Sequence, residues 1–217
     1  MTPDRHFAHT LAIMRLAPVI PVLTVRDAAD GVAQARALVA GGLFAIEVTL
    51  RTPGALKAIA AIRAEVPGAT VGAGTITTPA QIDEAIAAGA AFLVSPGASP
   101  NLAKAAADSP APFLPGVATA SEAMVLMEMG FRTLKLFPAE AAGGVKLLAA
   151  LAGPLPDLRF CPTGGIDLAK APTYLSLPNV VCVGGSWMLP KAALAAGDYS
   201  SIEKLSREAA ALSRNKA

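Results

Sequence analysis

Residues Ala45 to Arg51 read AIEVTLR, and residues Thr133 to Pro138 read TLKLFP. Successive side chains of a strand point to opposite faces. In the first run Ile46, Val48 and Leu50 therefore share an apolar face, and Glu47, Thr49 and Arg51 share the other. In the second, Leu134 and Leu136 share the apolar face, opposite Thr133, Lys135 and Phe137. An apolar face suits packing beneath helices, so the polar face must be turned inward, toward the axis of a barrel. Parity thus places a carboxylate, a guanidinium and an ammonium in one enclosed space.

Runs of this kind recur along the chain. VIPVLTV, AIEVTL, TVGAGTI, FLVSPG, FLPGV, TLKLFP, RFCPTGG and VVCVGGSW begin at Val19, Ala45, Thr70, Phe92, Phe113, Thr133, Arg159 and Val180, at intervals of 20 to 26 residues. That interval holds one strand, one helix and two short loops. The intervening Ala-rich stretches have helical spacing; several open on a capping residue (Asp27, Thr78, Ser99, Thr119) and close on Gly41, Gly89 or Gly130. Strand alternating with helix implies a parallel sheet with right-handed crossovers. Eight units, with no G-x-G-x-x-G fingerprint after the first strand, favour a closed (β/α)₈ TIM barrel over an open doubly wound sheet. The reading is a single α/β domain over residues 1–217. Residues 1–17 hold an extra N-terminal helix (Pro3 to Leu16) that plugs the bottom, residues 18–190 the barrel, and residues 191–217 a C-terminal helix (Ser200 to Leu212).

Composition excludes several classes. Hydrophobic residues are 53% of the chain and charged residues 16%, far from a disordered composition. The long uncharged stretch Ala85 to Ala103 contains Gly89, Pro96, Gly97 and Pro100, so it is not a membrane span. A net charge of +2 without a basic run argues against nucleic acid. The first residues lack a secretory pattern, and Cys161 and Cys182 lie in apolar runs, which suggests a cytoplasmic protein with reduced, packed thiols. His6 and His9 could chelate across a helical turn, but no acid or thiol completes a set, so no metal site is expected.

In such barrels functional groups gather at the carboxyl ends of the strands. Of eight lysines, only Lys135 lies mid-strand among apolar neighbours. A lysine attacks a carbonyl only as the neutral amine, and the resulting imine is an electron sink that lets a neighbouring C–C bond break. The competing reading is a structural ion pair of Glu47 with Lys135 or Arg51, since buried charges are usually paired. The loops after the seventh and eighth strands, where these barrels commonly bind phosphate, read Thr163-Gly164-Gly165 and Gly185-Ser186. Glycine lets backbone amides approach an anion closely, and the serine adds a donor.

The motifs EVTLRT (47–52), GAGT (72–75), SPG (95–97), LPGVATASEA (114–123), KLFPAE (135–140), PTGGI (162–166) and GGSW (184–187) closely resemble those of the class I aldolases for 2-dehydro-3-deoxy-6-phosphogluconate, KDPG. The resemblance runs from Pro18 to Trp187, in order and spacing. It implies cleavage of a phosphorylated keto acid to pyruvate and glyceraldehyde 3-phosphate, an Entner–Doudoroff step, with no cofactor and no metal, in a homotrimer. It makes Lys135 the Schiff-base lysine and Glu47 the general acid/base. It assigns Arg51 and Thr75 to the pyruvate carboxylate and Thr163 to the substrate hydroxyls. Gly164, Gly165, Gly185 and Ser186 fall to the phosphate, and Pro96 and Phe137 to the pocket wall. The alternatives are the same chemistry on the galactonate epimer or on 4-hydroxy-2-oxoglutarate, a phosphosugar isomerase or epimerase on the same barrel, and a non-catalytic anion-binding barrel.

Overall fold

The structure, a computed structural model, describes residues 2–213. Its strands are β1 (Val19–Leu23), β2 (Ala45–Thr49), β3 (Thr70–Gly74), β4 (Leu93–Val94), β5 (Phe113–Leu114), β6 (Gly116–Val117), β7 (Thr133–Leu136), β8 (Arg159–Phe160) and β9 (Val183–Gly185). Each of the eight runs carries a strand that starts within three residues of the expected place. The fifth run gives two strands rather than one, because Pro115 has no N–H to give to the ladder. Its carbonyl still accepts from the Lys135 amide at 2.8 Å.

All pairings are parallel: six strands lie in the order β5-β4-β3-β2-β1-β9 and three in the order β6-β7-β8. Isolated bridges Phe160–Val180 and Thr163–Gly184 join the neighbourhoods of β8 and β9. The result is an α/β fold with a barrel-like parallel sheet.

The helices are α1 (Pro3–Met14), α2 (Ala28–Ala40), α3 (Ala55–Glu65), α4 (Pro79–Ala87), α5 (Pro100–Asp108), α6 (Ala120–Glu128), α7 (Ala139–Ala142), α8 (Gly144–Ala152), α9 (Ala171–Leu175), α10 (Lys191–Ala196) and α11 (Tyr199–Ala210). The capping residues read from the sequence do cap. The side chains of Asp27, Thr78, Ser99 and Thr119 accept from the third helical amide of α2, α4, α5 and α6, and at Thr78 and Thr119 the box is completed by Gln81 and Glu122. The expected C-terminal helix to residue 217 is realised as α10 and α11; its last four positions lie outside the described residues. No described helix is long and apolar enough to cross a membrane.

Two buried clusters follow the strand parity. Leu23, Ile46, Val48, Leu93, Leu134 and Leu136 belong to the large one, between sheet and helices. Ile20, Ala45, Phe92, Val94, Leu114, Cys161 and Cys182 form the smaller one on the opposite face, together with Met14 from the end of α1. Full burial of each larger apolar side chain is worth roughly 1.5–3 kcal/mol. The inner face is therefore a packed floor rather than a pore, and the polar residues stand above it. At the amino end of β5, His6 of α1 has Nε2 2.9 Å from the Phe113 carbonyl oxygen and 3.1 Å from its amide nitrogen. Its ring lies edge-on to Phe131. Both histidines thus sit on the helix at the amino ends of the strands, away from the lysine.

Candidate active site

Glu47 on β2 and Lys135 on β7 meet across the inner face. Lys135 Nζ donates to Glu47 Oε1 at 3.0 Å and to Oε2 at 3.2 Å. Their side chains are only 6% and 4% exposed, which excludes a solvent-screened surface pair. Room for the carboxylate comes from the next strand, where a Cβ at Gly74 would stand 2.2 Å from Glu47 Oε1. The Phe137 ring centroid lies 5.4 Å from Lys135 Nζ, within cation–π range. Gly116 is the register partner of Lys135, and the Pro96 backbone passes 2.3 Å from where a Gly116 Cβ would be, so the half-buried Pro96 packs against the strand beside the lysine's.

The expectation that three charges share one enclosure needs correction. β2 ends at Thr49, so strand parity no longer governs residue 51, and Arg51 is exposed at the rim. Its Nε donates to Thr75 Oγ1 at 3.2 Å, and it makes no ion pair among the described residues. Thr75 has φ 60°, a conformation rarely adopted by a β-branched residue and costing about 1–3 kcal/mol. Such strain is retained at functional positions more often than elsewhere. Thr49 does point inward, but its hydroxyl donates to the Leu23 carbonyl at 2.7 Å and is spent on structure.

On the other side of the lysine, Thr163 is buried, and a Cβ on Gly184 would meet its Oγ1 at 2.2 Å. Gly164 and Gly165 have φ of 105° and 80°, so this loop cannot carry other residues without strain. Ser186 is exposed beside Gly185, whose open side is filled by the Trp187 ring. Glu47, Lys135 and Phe137 are thus brought together, Arg51 pairs with Thr75 at the rim, and Thr163, Gly164 and Gly165 adjoin β9 through the Thr163–Gly184 bridge.

Sequence reasoning missed a polar cluster behind the Gly164-Gly165 loop. Glu140 accepts from Lys170 Nζ at 2.8 Å and from the Tyr174 hydroxyl. These bonds, Lys170's first, hold the Glu140 carboxyl below its ordinary range, while burial and then Glu140 push the Tyr174 phenol up. Glu140 is the last residue of KLFPAE, but nothing in the sequence pairs it with residues thirty and more positions on. The sequence also gave no sign that the Trp187 Nε1 would be buried without a partner. Among the described residues no three of His, Cys, Asp and Glu gather as metal ligands would.

A buried amine beside a carboxylate can add to a carbonyl while the carboxylate relays the proton. A parallel α/β enzyme built round such a buried pair is the class that fold and site define. Comparison with known proteins narrows it. Residues 11–205 match the family described as KDPG and KHG aldolase. The "KHG/KDPG aldolase" of Escherichia coli K12 is 52% identical over 198 residues, 91% of this chain and 93% of that one. The structure of the 2-keto-3-deoxy-6-phospho-gluconate aldolase of Zymomonas mobilis ATCC 29191 matches with TM-score 0.90 at 48% identity, over 95% of this chain and 98% of that one. The KDPG aldolase of Legionella pneumophila, with pyruvate captured as a covalent carbinolamine, matches with TM-score 0.91 at 42% identity, over 97% and 99%. The chain belongs to the KDPG and KHG aldolase family.

Proposed function

We propose that this protein is a class I aldolase that cleaves 2-dehydro-3-deoxy-6-phosphogluconate to pyruvate and glyceraldehyde 3-phosphate. The observation that carries the reading is the buried Lys135–Glu47 pair, with Nζ 3.0 Å from the carboxylate. In this mechanism the neutral Lys135 amine adds to C2 of the keto acid, and Glu47 moves the protons that turn the carbinolamine into an imine and water. Glu47 then takes the C4 hydroxyl proton. The C3–C4 bond breaks, its electron pair passes into the C2–C3 bond of an enamine, and glyceraldehyde 3-phosphate leaves. Protonation at C3 and hydrolysis of the imine release pyruvate and restore the lysine.

The other assignments are supported by position. Arg51 with Thr75 holds the pyruvate carboxylate at the rim, Thr163 reaches the sugar hydroxyls, and Pro96 and Phe137 wall the pocket. The amides and hydroxyl of Gly164, Gly165, Gly185 and Ser186 take the phosphate. We read the two sheets as one closed (β/α)₈ barrel and a single domain, with α1 as an extra helix beneath it. The continuity of β5 and β6 across Pro115 and the bridges between β8 and β9 support this. Family likeness supports a homotrimer, a cytoplasmic location and an Entner–Doudoroff role; light scattering on the purified protein tests the first. 4-Hydroxy-2-oxoglutarate is the second substrate to consider, because the E. coli relative carries both names.

The test is a cleavage assay on the phosphorylated gluconate derivative that quantifies pyruvate and glyceraldehyde 3-phosphate together, with and without EDTA. Equal amounts of both, unaffected by chelation, are expected. Preference for the galactonate epimer, isomerisation without cleavage, or activity lost to EDTA and restored by a divalent ion would each replace the reading with a rival.

A further inference from the structure

We propose that Lys170, held in place by Glu140 and Tyr174, is a positioning residue that completes the bracing of the loop Thr163–Gly165 and fixes the peptide after Gly165 so that the Ile166 amide faces the phosphate of the substrate. The inference rests on the functional reading above and adds to it a residue outside the pocket. Three consecutive carbonyls of the loop are each bonded on one side. Thr163 O accepts from the Ala139 amide at 2.8 Å and Gly164 O from the Glu140 amide at 3.2 Å, both in the first turn of α7. Gly165 O accepts from Lys170 Nζ at 2.9 Å.

In a planar trans peptide a carbonyl and the amide of the following residue point in opposite directions. Drawing Gly164 O and Gly165 O toward α7 and Lys170 therefore turns the Gly165 and Ile166 amides the other way. Two of the three anchors are backbone groups that no side-chain change removes. The third is Lys170, and without it the peptide after Gly165 loses its anchor and can rotate about ψ of Gly165, which has no Cβ to restrict that rotation.

The lysine is itself restrained. Nζ also donates to Glu140 Oε2 at 2.8 Å, and Tyr174 donates to the other oxygen. A Cβ on Gly165 would stand 2.6 Å from Glu140 Cγ, so the glutamate side chain lies directly against the loop it braces. The Lys170 amide donates to Asp167 Oδ1 at 2.9 Å, which anchors its backbone independently of the side chain.

The Lys170 side chain is 47% exposed, so its replacement opens no buried cavity and the variants are expected to fold. Steady-state cleavage of the phosphorylated substrate and exchange of the methyl protons of pyruvate are measured for the wild type, Lys170→Met, Lys170→Arg and Tyr174→Phe. Loss of one charged donor should raise KM for the phosphorylated substrate by roughly fivefold to thirtyfold in Lys170→Met. Its kcat should stay within about twofold and its pyruvate exchange unchanged. Lys170→Arg should recover most of the loss, and Tyr174→Phe should show a smaller rise in KM. If the wild type cleaves the substrate but Lys170→Met has an unaltered KM, or loses pyruvate exchange in proportion, the positioning role is wrong and the aldolase reading stands. If the wild type neither cleaves the substrate nor exchanges pyruvate protons, both fall together.

Discussion

At the scale of single residues, the burden falls on two buried side chains, Glu47 and Lys135, that hydrogen-bond to each other. Glu47→Gln keeps the size and the hydrogen-bonding capacity of the side chain but abolishes its role as a base. Turnover should fall by about 10² to 10⁴, the usual worth of a positioned acid/base. Glu47→Ala should also destabilise the fold by about 3–5 kcal/mol, because it strands the Lys135 charge in a buried site. Urea denaturation of the two variants separates these effects; a Gln variant that turns over at the wild-type rate would reduce Glu47 to an ion-pair partner. Arg51→Ala should weaken pyruvate by roughly tenfold, since a carboxylate loses a charge-assisted bond, and pyruvate proton exchange at varied concentration reads this directly. Parity in AIEVTLR and TLKLFP was enough to bring Glu47 and Lys135 together. It failed at Arg51, because alternation holds only while the chain is a strand and β2 stops at Thr49. It also could not see that the Leu23 carbonyl takes up the Thr49 hydroxyl.

At the scale of elements, the sequence is most legible where the governing interaction is local. Thr119 and Glu122 form the box that starts α6 within four residues of each other, so their spacing announces it. Thr119→Ala should cost about 1 kcal/mol, which for a domain of this size lowers Tm by roughly 2–4 °C. The division of the fifth run at Pro115 is likewise a local effect, and the missing N–H gives its reason. The docking of α1 is not local. His6 contacts Phe113, 107 residues away, and burial first of all holds its imidazole below the ordinary range, with the hydrogen bond to Phe113 working against it. A group with a lowered folded-state pKa favours the folded state above its unfolded value. The contribution of His6 is therefore complete above about pH 6.5 and is lost as pH falls from there toward the folded value. Thermal melts at pH 7.5 and 5.5 should show a larger loss for the wild type than for His6→Gln. An equal loss in both would mean that the pH dependence arises elsewhere.

At the scale of the whole molecule, eight short runs become one site only because the strands curve round and bring β2 and β7 face to face, 88 residues apart in sequence. Counting runs anticipates that architecture. It does not anticipate which loops touch: the Glu140–Lys170–Tyr174 cluster depends on α7 and α9 meeting behind the Gly164-Gly165 loop, and no periodicity encodes that contact. The two-ended substrate gives a test at this scale. Ser186→Glu puts a negative charge on the exposed loop proposed to take the phosphate. KM for the phosphorylated substrate should rise more than tenfold while pyruvate proton exchange is retained; equal damage to both reactions would mean that the ends are misassigned. The central claim, that Lys135 is the nucleophile, is tested most directly by incubating the protein with pyruvate, reducing with borohydride, and locating the adduct by mass spectrometry. One reduced pyruvyl group per chain is expected on the peptide that contains Lys135, and none in a folded Lys135→Ala variant. No adduct, or one that persists in that variant on another lysine, would contradict the account.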